Sequence, residues 1–260
     1  MRIGVVISTF NHLSDLRECL YRVSSEDPYA IYVTDDGSGD GTGEFLAGWA
    51  GCERARVRIV RNARKNRYDI EGSHVNYMRG YGWLANAGCD WMLRIGDDVM
   101  LEPDSIRRLV KLAEGAGNEY ASGRIRGETA DFRDAFSILR PGLFFQWKHA
   151  FDGVPYAMHS VLRAGAEARR SCGFHPEVSV GVTRRTGERY DSGVWVMRGR
   201  VMRYVGNTVP FTLARAARHP AAGVHLLRGY FGTGERCPPM ITDNTRRTEW
   251  GRIRGMVCHG

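Results

Sequence analysis

The sequence predicts an α/β fold with a doubly wound, mostly parallel central sheet flanked by helices. Short β-rich runs alternate with amphipathic stretches through the first half, the βαβ order that yields parallel strands and right-handed crossovers. Those runs end in polar turns at Thr9-Phe-Asn11, Asp35-Asp-Gly37 and Gly96-Asp-Asp98, the edge at which open α/β sheets bind ligands. With 260 residues, 43% hydrophobic and 25% charged, the chain can bury a substantial core.

The elements follow in order. Ile3 to Ser8 is a strand, and Asn11 or Ser14 can cap the helix carrying Leu16, Cys19, Leu20 and Val23. Ala30 to Thr34 is a second strand, Gly41-Thr42 opens a helix through Trp49, and Val57 to Val60 is a third strand. A helix over Tyr77 to Ala87 leads into the strand at Trp91, and Pro103 starts a helix with Ile106, Leu109, Val110 and Leu112 on one face. The second half is less regular. Tyr120 to Ile125 reads as a strand and Asp131 to Gly153 as loop-rich; Ala157 to Leu162 and Val201 to Val205 read as strands, with Ala164 to Arg170 helical between them. From Arg215 onward the chain is rich in Arg, Gly and Pro and predicts loops or short helices.

The net charge is +8 and the basic residues are nearly all Arg; Lys65, Lys111 and Lys148 are the only lysines. That balance favours phosphate-bearing or anionic partners. The six cysteines are scattered without metal-ligand spacing, which favours reduced thiols in a cytoplasmic protein. No apolar stretch approaches the roughly 20 residues needed to span a bilayer, so any membrane contact is expected to be peripheral.

Asp97 and Asp98 are the most informative residues. They end the apolar run Trp91-Met-Leu-Arg-Ile95 after Gly96. Adjacent carboxylates repel unless a cation or donors offset them, and a hard divalent ion bridging carboxylate and phosphate is one solution. The alternative is an acidic pair that opens a loop and caps the helix begun at Pro103-Asp104.

The order Val5-Val-Ile-Ser-Thr-Phe-Asn11, Val33-Thr-Asp-Asp-Gly-Ser38 with Asp40-Gly-Thr42, then Gly88-Cys-Asp-Trp91 running into Gly96-Asp-Asp98 and Leu101-Glu-Pro-Asp104, resembles family 2 glycosyltransferases. These GT-A enzymes move a sugar from a nucleotide diphosphate to an acceptor, usually with inversion. The resemblance implies a nucleotide-sugar-binding half over 1–125, an acceptor-binding and catalytic half over 126–215, and a tail or flap over 216–260, all within one GT-A domain. It is good over the first 125 residues and looser over 156–205.

The resemblance also implies roles. Asp35 and Asp36 would contact the nucleoside, with Thr9, Phe10 and Asn11 beside the base; Phe10 stacking on it, or filling the core, are both open. Gly72 and Gly80 match two glycines of related sequences, and Arg79 would pair with the donor diphosphate, or else sit solvated on its helix. Gly96-Asp97-Asp98 holds the place of the metal motif Asp-x-Asp, with Gly96 where the first acid stands. Asp98 would then be the direct Mn²⁺ or Mg²⁺ ligand and Asp97 its neighbour near the sugar nucleotide. His219 matches a histidine often found near metal and diphosphate, and Tyr230, Phe231 and Arg236 would belong to a flap. Gly173-Phe-His-Pro-Glu177 resembles an acceptor-side segment. The catalytic base falls in Gly187 to Ser192: Asp191 is the choice, with Glu188 in reserve, and helix capping by Asp191 is the alternative.

The expected activity is therefore transfer of a sugar from a nucleotide-diphosphate sugar to an acceptor hydroxyl on a glycan, lipid-linked or protein acceptor, with a divalent metal. The competing reading is a catalytically impaired nucleotide- or nucleic-acid-binding protein of the same fold, although the ordered motifs disfavour nucleic acid. A nucleotidyltransferase is weakened by a first loop without glycines.

Overall fold

The computed structural model describes residues 1–127, 134–184, 192–234 and 236–258. Its strands are β1 (Ile3–Thr9), β2 (Ala30–Asp35), β3 (Arg56–Arg61), β4 (Trp91–Gly96), β5 (Val99–Met100), β6 (Tyr120–Ile125), β7 (Phe136–Leu139) and β8 (Cys172–Val182). The sheet order is β3-β2-β1-β4-β7-β6-β8-β5. The first four strands in that order are mutually parallel, whereas β7 is antiparallel to β4 and β6, and β5 is antiparallel to β8. The helices are α1 (Leu13–Ser25), α2 (Thr42–Cys52), α3 (Ile70–Asn86), α4 (Ser105–Gly115), α5 (Pro141–Trp147), α6 (Met158–Ala168), α7 (Ser192–Tyr204), α8 (Val209–Ala217), α9 (Pro220–Phe231) and α10 (Pro239–Cys258).

The chain forms two compact units, one of residues 1–145 with 171–185 and the other of residues 146–170 with 186–260. The first holds every strand. Val5, Ile7, Ile31, Val33, Leu93 and Ile95 bury one face of its sheet with Leu16 and Leu20 of α1 and Leu109 and Val110 of α4. On the other face α3 approaches through Gly80, where a Cβ would collide with Val6 and come within 2.9 Å of Tyr32. Arg94, the one charge in the apolar run of β4, lies 4.2 Å over the Tyr77 ring of α3, so an aromatic face offsets its desolvation.

Register places the polar strand ends together. Thr9 pairs with Asp35, Ser8 with Gly96, and Asp35 with Arg61. Four parallel strands therefore deliver their carboxyl ends to one edge.

The second unit is helical. Met202, Phe211, Ala216, Leu226 and Tyr230 form its core, and α7 and α9 approach so closely that a Cβ on Gly199 or Gly229 would strike the opposite backbone.

The structure corrects several expectations in the second half. Ala157 to Leu162, read as a strand, lies largely in α6, whose buried Met158, Val161, Leu162 and Ala166 follow a helical period. Val201 to Val205, also read as a strand, continues α7 through Tyr204. Both are short apolar runs, for which strand and helix patterns coincide. The expected loop-rich stretch contains β7 and α5. The tail from Arg215, expected to form loops or short helices, holds the end of α8 and all of α9 and α10, the last of these 20 residues long; Pro220 and Pro239 occupy first helical positions rather than breaking helices. β8 went unread because Pro176 lies within it. That proline falls in an irregularity, where pairing steps from Gly123–His175 to Arg124–Ser179, the usual place for proline in a strand.

Candidate active site

The site grows from the first two strand ends. Asp36 follows β2, is 1% exposed, and its backbone N–H donates to the Thr9 carbonyl at 2.9 Å. Its carboxylate accepts from Lys65 Nζ at 2.9 and 3.1 Å, from Asn62 at 2.7 Å and from Asn76 at 3.1 Å. Burial works against the Lys65 charge, yet its hydrogen bonds to Asp36 and Asp69 and the charges of those carboxylates hold the ammonium above its ordinary pKa. Asp35 is fully buried. Its Oδ1 accepts the Ser38 N–H at 2.8 Å, and its Oδ2 is 3.4 Å from Arg61 Nε. Gly37 takes φ +89° here, and a Cβ would run into the Ala63 carbonyl and within 2.9 Å of Lys65 N, so only glycine fits the turn. An open polar cleft lies alongside, lined by Gly37, Ser38, Gly39, Arg61, Asn62 and Arg64.

The loop after β1 joins this corner to the acidic pair. Asn11, at φ 54°, donates its N–H to Ser38 at 2.9 Å and accepts the Gly39 N–H at 2.8 Å. Phe10 is 7% exposed, with its ring 6.4 Å from that of Tyr68. Thr9 Oγ1 donates to Asp97 Oδ2 at 2.8 Å.

Asp97 and Asp98 follow β4 and differ in environment. Asp97 is 7% exposed and saturated: Oδ2 accepts from Thr9 and lies 3.0 Å from His12 Nδ1, while Oδ1 accepts from Arg184 Nη2 at 2.7 Å. Asp98 keeps a quarter of its side chain exposed and stands 3.7 Å from the same guanidinium nitrogen. Burial, then repulsion from Asp97, pushes its carboxyl above the ordinary value, and Arg184 only partly offsets this. A Cβ at Gly96 would lie 2.5 Å from Asp98 Oδ1. The Asp98 carboxylate thus fills the space an acid at 96 would need.

The helix-capping alternative for this pair does not hold. The amides of Ser105 and Ile106 that open α4 donate instead to the buried Glu26, at 3.2 Å each.

Arg184 is the residue the sequence did not reveal. It follows β8, where Val99 pairs with Val182 and Thr183 N donates to the Asp98 carbonyl at 3.0 Å. Besides Asp97 and Asp98, its Nε lies 3.2 Å from Asp15 of α1. Nothing in the sequence marks an Arg 87 positions away as a partner of Asp97. Lys65, Asn62 and Asn76 went unread as well, although the scarcity of lysine was one available signal.

Arg79 is exposed on α3, next to the Gly80 that packs on the sheet. His219, in the second unit, precedes α9 with its ring 4.9 Å from Trp195. Burial, then the charges of Arg215, Arg198 and Arg218, lowers its pKa and favours neutral imidazole. Glu188 and Asp191 lie outside the described residues.

As to a divalent ion, the donor chemistry fits: hard carboxylate oxygens of Asp15, Asp97 and Asp98 converge on one cationic centre, here a guanidinium. Their present spacing is that of the guanidinium, and no group of three or more His, Cys, Asp or Glu among the described residues is placed to hold a metal ion.

Residues 4–160 match the family described as glycosyl transferase family 2. The chain belongs to glycosyl transferase family 2. Family relatives include undecaprenyl-phosphate mannosyltransferase of Micrococcus luteus, 27% identical over 49% of this chain and 50% of that protein. Polyprenol monophosphomannose synthase of Mycolicibacterium smegmatis is 29% identical over 47% and 44%. The chain thus spans about half the length, or less, of the curated relatives it matches. Among solved structures, the mannosyltransferase PcManGT of Pyrobaculum calidifontis, in complex with GDP-Man and Mn²⁺, superposes with a TM-score of 0.57 at 14% identity, covering 100% of this chain and 76% of that one. S. aureus TarS 1-349 with UDP-GlcNAc gives 0.60 at 12% identity, over 98% and 92%. These likenesses establish the GT-A glycosyltransferase fold.

Proposed function

We propose that this chain transfers a sugar from a nucleotide-diphosphate sugar to a lipid-linked acceptor. The observation that carries the reading is the convergence of Thr9, Asp35, Asp36, Asp97 and Asp98 at one edge of the parallel strands, in a member of a sugar-transferring family. Asp36 and Thr9, with Asp35, Phe10 and Asn11, hold the nucleoside, and Arg79 is the candidate for the diphosphate. Asp98, with Asp97, would hold Mn²⁺ or Mg²⁺, which when bound would neutralise charge on the leaving diphosphate. Asp97 also orients its surroundings, because its contacts tie Thr9 of β1, His12 just before α1 and Arg184 just after β8 to the pair.

The acceptor class follows from two supports. Relatives carry undecaprenyl-phosphate or polyprenol in their names. In addition, the second unit holds sixteen Lys and Arg against seven Asp and Glu, whereas the first holds 21 against 22. That unit also exposes Val209 and Leu213, four residues apart on α8, and Val224 and Phe231 on α9. Positive charge with scattered exposed apolar groups suits the surface of an anionic membrane. No helix among the described residues is long and apolar enough to cross one.

An acceptor phosphate would also relax the need for a base. A phosphate monoester is largely ionised near neutrality, so its oxygen attacks without first losing a proton. A hydroxyl acceptor needs Asp191 or Glu188 to take that proton. Calorimetric titration with UDP, GDP and TDP sugars, with and without Mn²⁺, tests the donor reading: one base should bind in the micromolar range, and silence with all of them would overturn it.

A further inference from the structure

Asp35 and Asp36 mark the nucleoside corner, yet neither carboxylate offers a surface to a ligand. Asp35 is fully buried and Asp36 is 1% exposed. Asp36 Oδ1 already accepts from Asn62 at 2.7 Å, Lys65 at 2.9 Å and Asn76 at 3.1 Å, and Oδ2 takes Lys65 Nζ at 3.1 Å. What the corner presents is the ring of donors around the acid. Lys65 keeps 29% of its side chain exposed, and its bond to Asp69 is long, at 3.4 Å. Asn62 lines the open polar cleft. Its Nδ2 is committed to Asp36 and to Asn76 Oδ1, which fixes the amide with its oxygen turned from the acid. That oxygen accepts no hydrogen bond among the described residues. Both backbones are pinned to the end of β2: the Asn62 N–H donates to the Asp35 carbonyl at 2.9 Å and the Lys65 N–H to the Gly37 carbonyl at 3.0 Å.

We propose that Lys65 and Asn62, rather than the two carboxylates, read the base of the sugar nucleotide, and that they select a ring carbonyl beside a ring N–H. The ammonium donates to the carbonyl oxygen, and Asn62 Oδ1 accepts the N–H. Uracil, thymine and guanine carry that edge. Cytosine and adenine carry the reverse, a ring nitrogen acceptor beside an amino donor. Asp36 is then a positioning residue, which holds the nucleoside through Lys65. The assignment rests on the donor reading above.

The test is calorimetric titration of UDP, TDP, GDP, CDP and ADP into wild type, Asn62→Ala, Lys65→Met, Asp36→Asn and the Asp36→Asn, Lys65→Met double variant. Wild type should bind one of UDP, TDP and GDP at least about tenfold more tightly than CDP and ADP. Lys65→Met should lose about 10- to 100-fold on that nucleotide, as for a lost hydrogen bond to a charged group, and shift CDP and ADP by less than about threefold. Asn62→Ala should reduce the same preference. Lys65→Met strands a buried carboxylate, so the double variant removes the pair together and spares the fold that cost. With Asp36 acting only through Lys65, the double variant should bind no more weakly than Lys65→Met. A wild-type preference for CDP or ADP, equal losses on all five nucleotides, an Asn62→Ala variant with unchanged preference, or single losses that add in the double variant would overturn the proposal. Silence of wild type with all five would instead overturn the donor reading, and this assignment with it.

Discussion

Asparagine substitutions at Asp97 and Asp98 should have stability effects of opposite sign. Asp97→Asn removes the charge that faces Arg184 at 2.7 Å and turns one acceptor into a donor among the donors Thr9, His12 and Arg184. Breaking a buried ion pair costs about 3–5 kcal/mol. Arg184 keeps Asp15 and Asp98 as partners, and one Asn oxygen still accepts, so the cost falls just below that range, at about 2–3 kcal/mol. Asp98→Asn removes an attraction to Arg184 at 3.7 Å but also a repulsion from Asp97. Two such charges about 4 Å apart interact by about 4 kcal/mol at an effective dielectric of about 20, so these contributions largely cancel. What remains is relief of the desolvation of a carboxylate, stabilising by about 0–1 kcal/mol. The size of this gain depends on pH. A carboxyl whose folded pKa is raised favours folding below its unfolded pKa and loses that contribution as pH rises through the folded value. The advantage of Asp98→Asn should therefore appear at neutral pH and fade in acid. Urea unfolding at low salt, followed by tryptophan fluorescence with Trp91 as a buried reporter, measures both variants. Equal destabilisation, or a larger loss in Asp98→Asn, would refute the division of labour between a structural Asp97 and a functional Asp98.

Asp36→Asn leaves Lys65 without its main partner and should cost about 1–3 kcal/mol in chemical denaturation, while weakening nucleotide affinity at least tenfold by calorimetry. His74, held down to about 3 by burial and the nearby Arg94 charge, makes stability fall as pH drops below about 6.5, by up to about 1.4 kcal/mol per unit, because the unfolded chain binds the proton first. In His74→Phe the midpoint of thermal unfolding between pH 6.5 and 4.5 should vary less steeply than in wild type. Asp191→Asn separates the acceptor classes: transfer to polyprenyl phosphate should persist within about threefold, whereas a base for a hydroxyl acceptor would lose about 10²–10⁴-fold in rate.

Much of the first half was legible because each strand carried local signals: an apolar run, a polar strand end, and a helix of matching period. Asp35, Asp36, Asp97 and Asp98 stood out as charges placed where a buried strand stops. What gave them partners was not local. Arg184 reaches Asp97 only through the pairing of β5 with β8, and no periodicity records which distant strand end will fold over which. Glu26 as the cap of α4 was hidden for the same reason. The misread second half fails differently. In α6 and α7 the apolar runs are short and interrupted by Arg163, Arg198 and Arg203, so the wider helical period was lost.

The most direct measurement is nucleotide diphosphate release by the purified protein, given the sugar nucleotide it binds, with and without detergent-dispersed polyprenyl phosphate. Release should depend on the lipid acceptor, with a sugar-bearing lipid as product, and both should be lost in a folded Asp98→Asn variant. Nucleotide binding without transfer to any acceptor, or full turnover by Asp98→Asn, would contradict it.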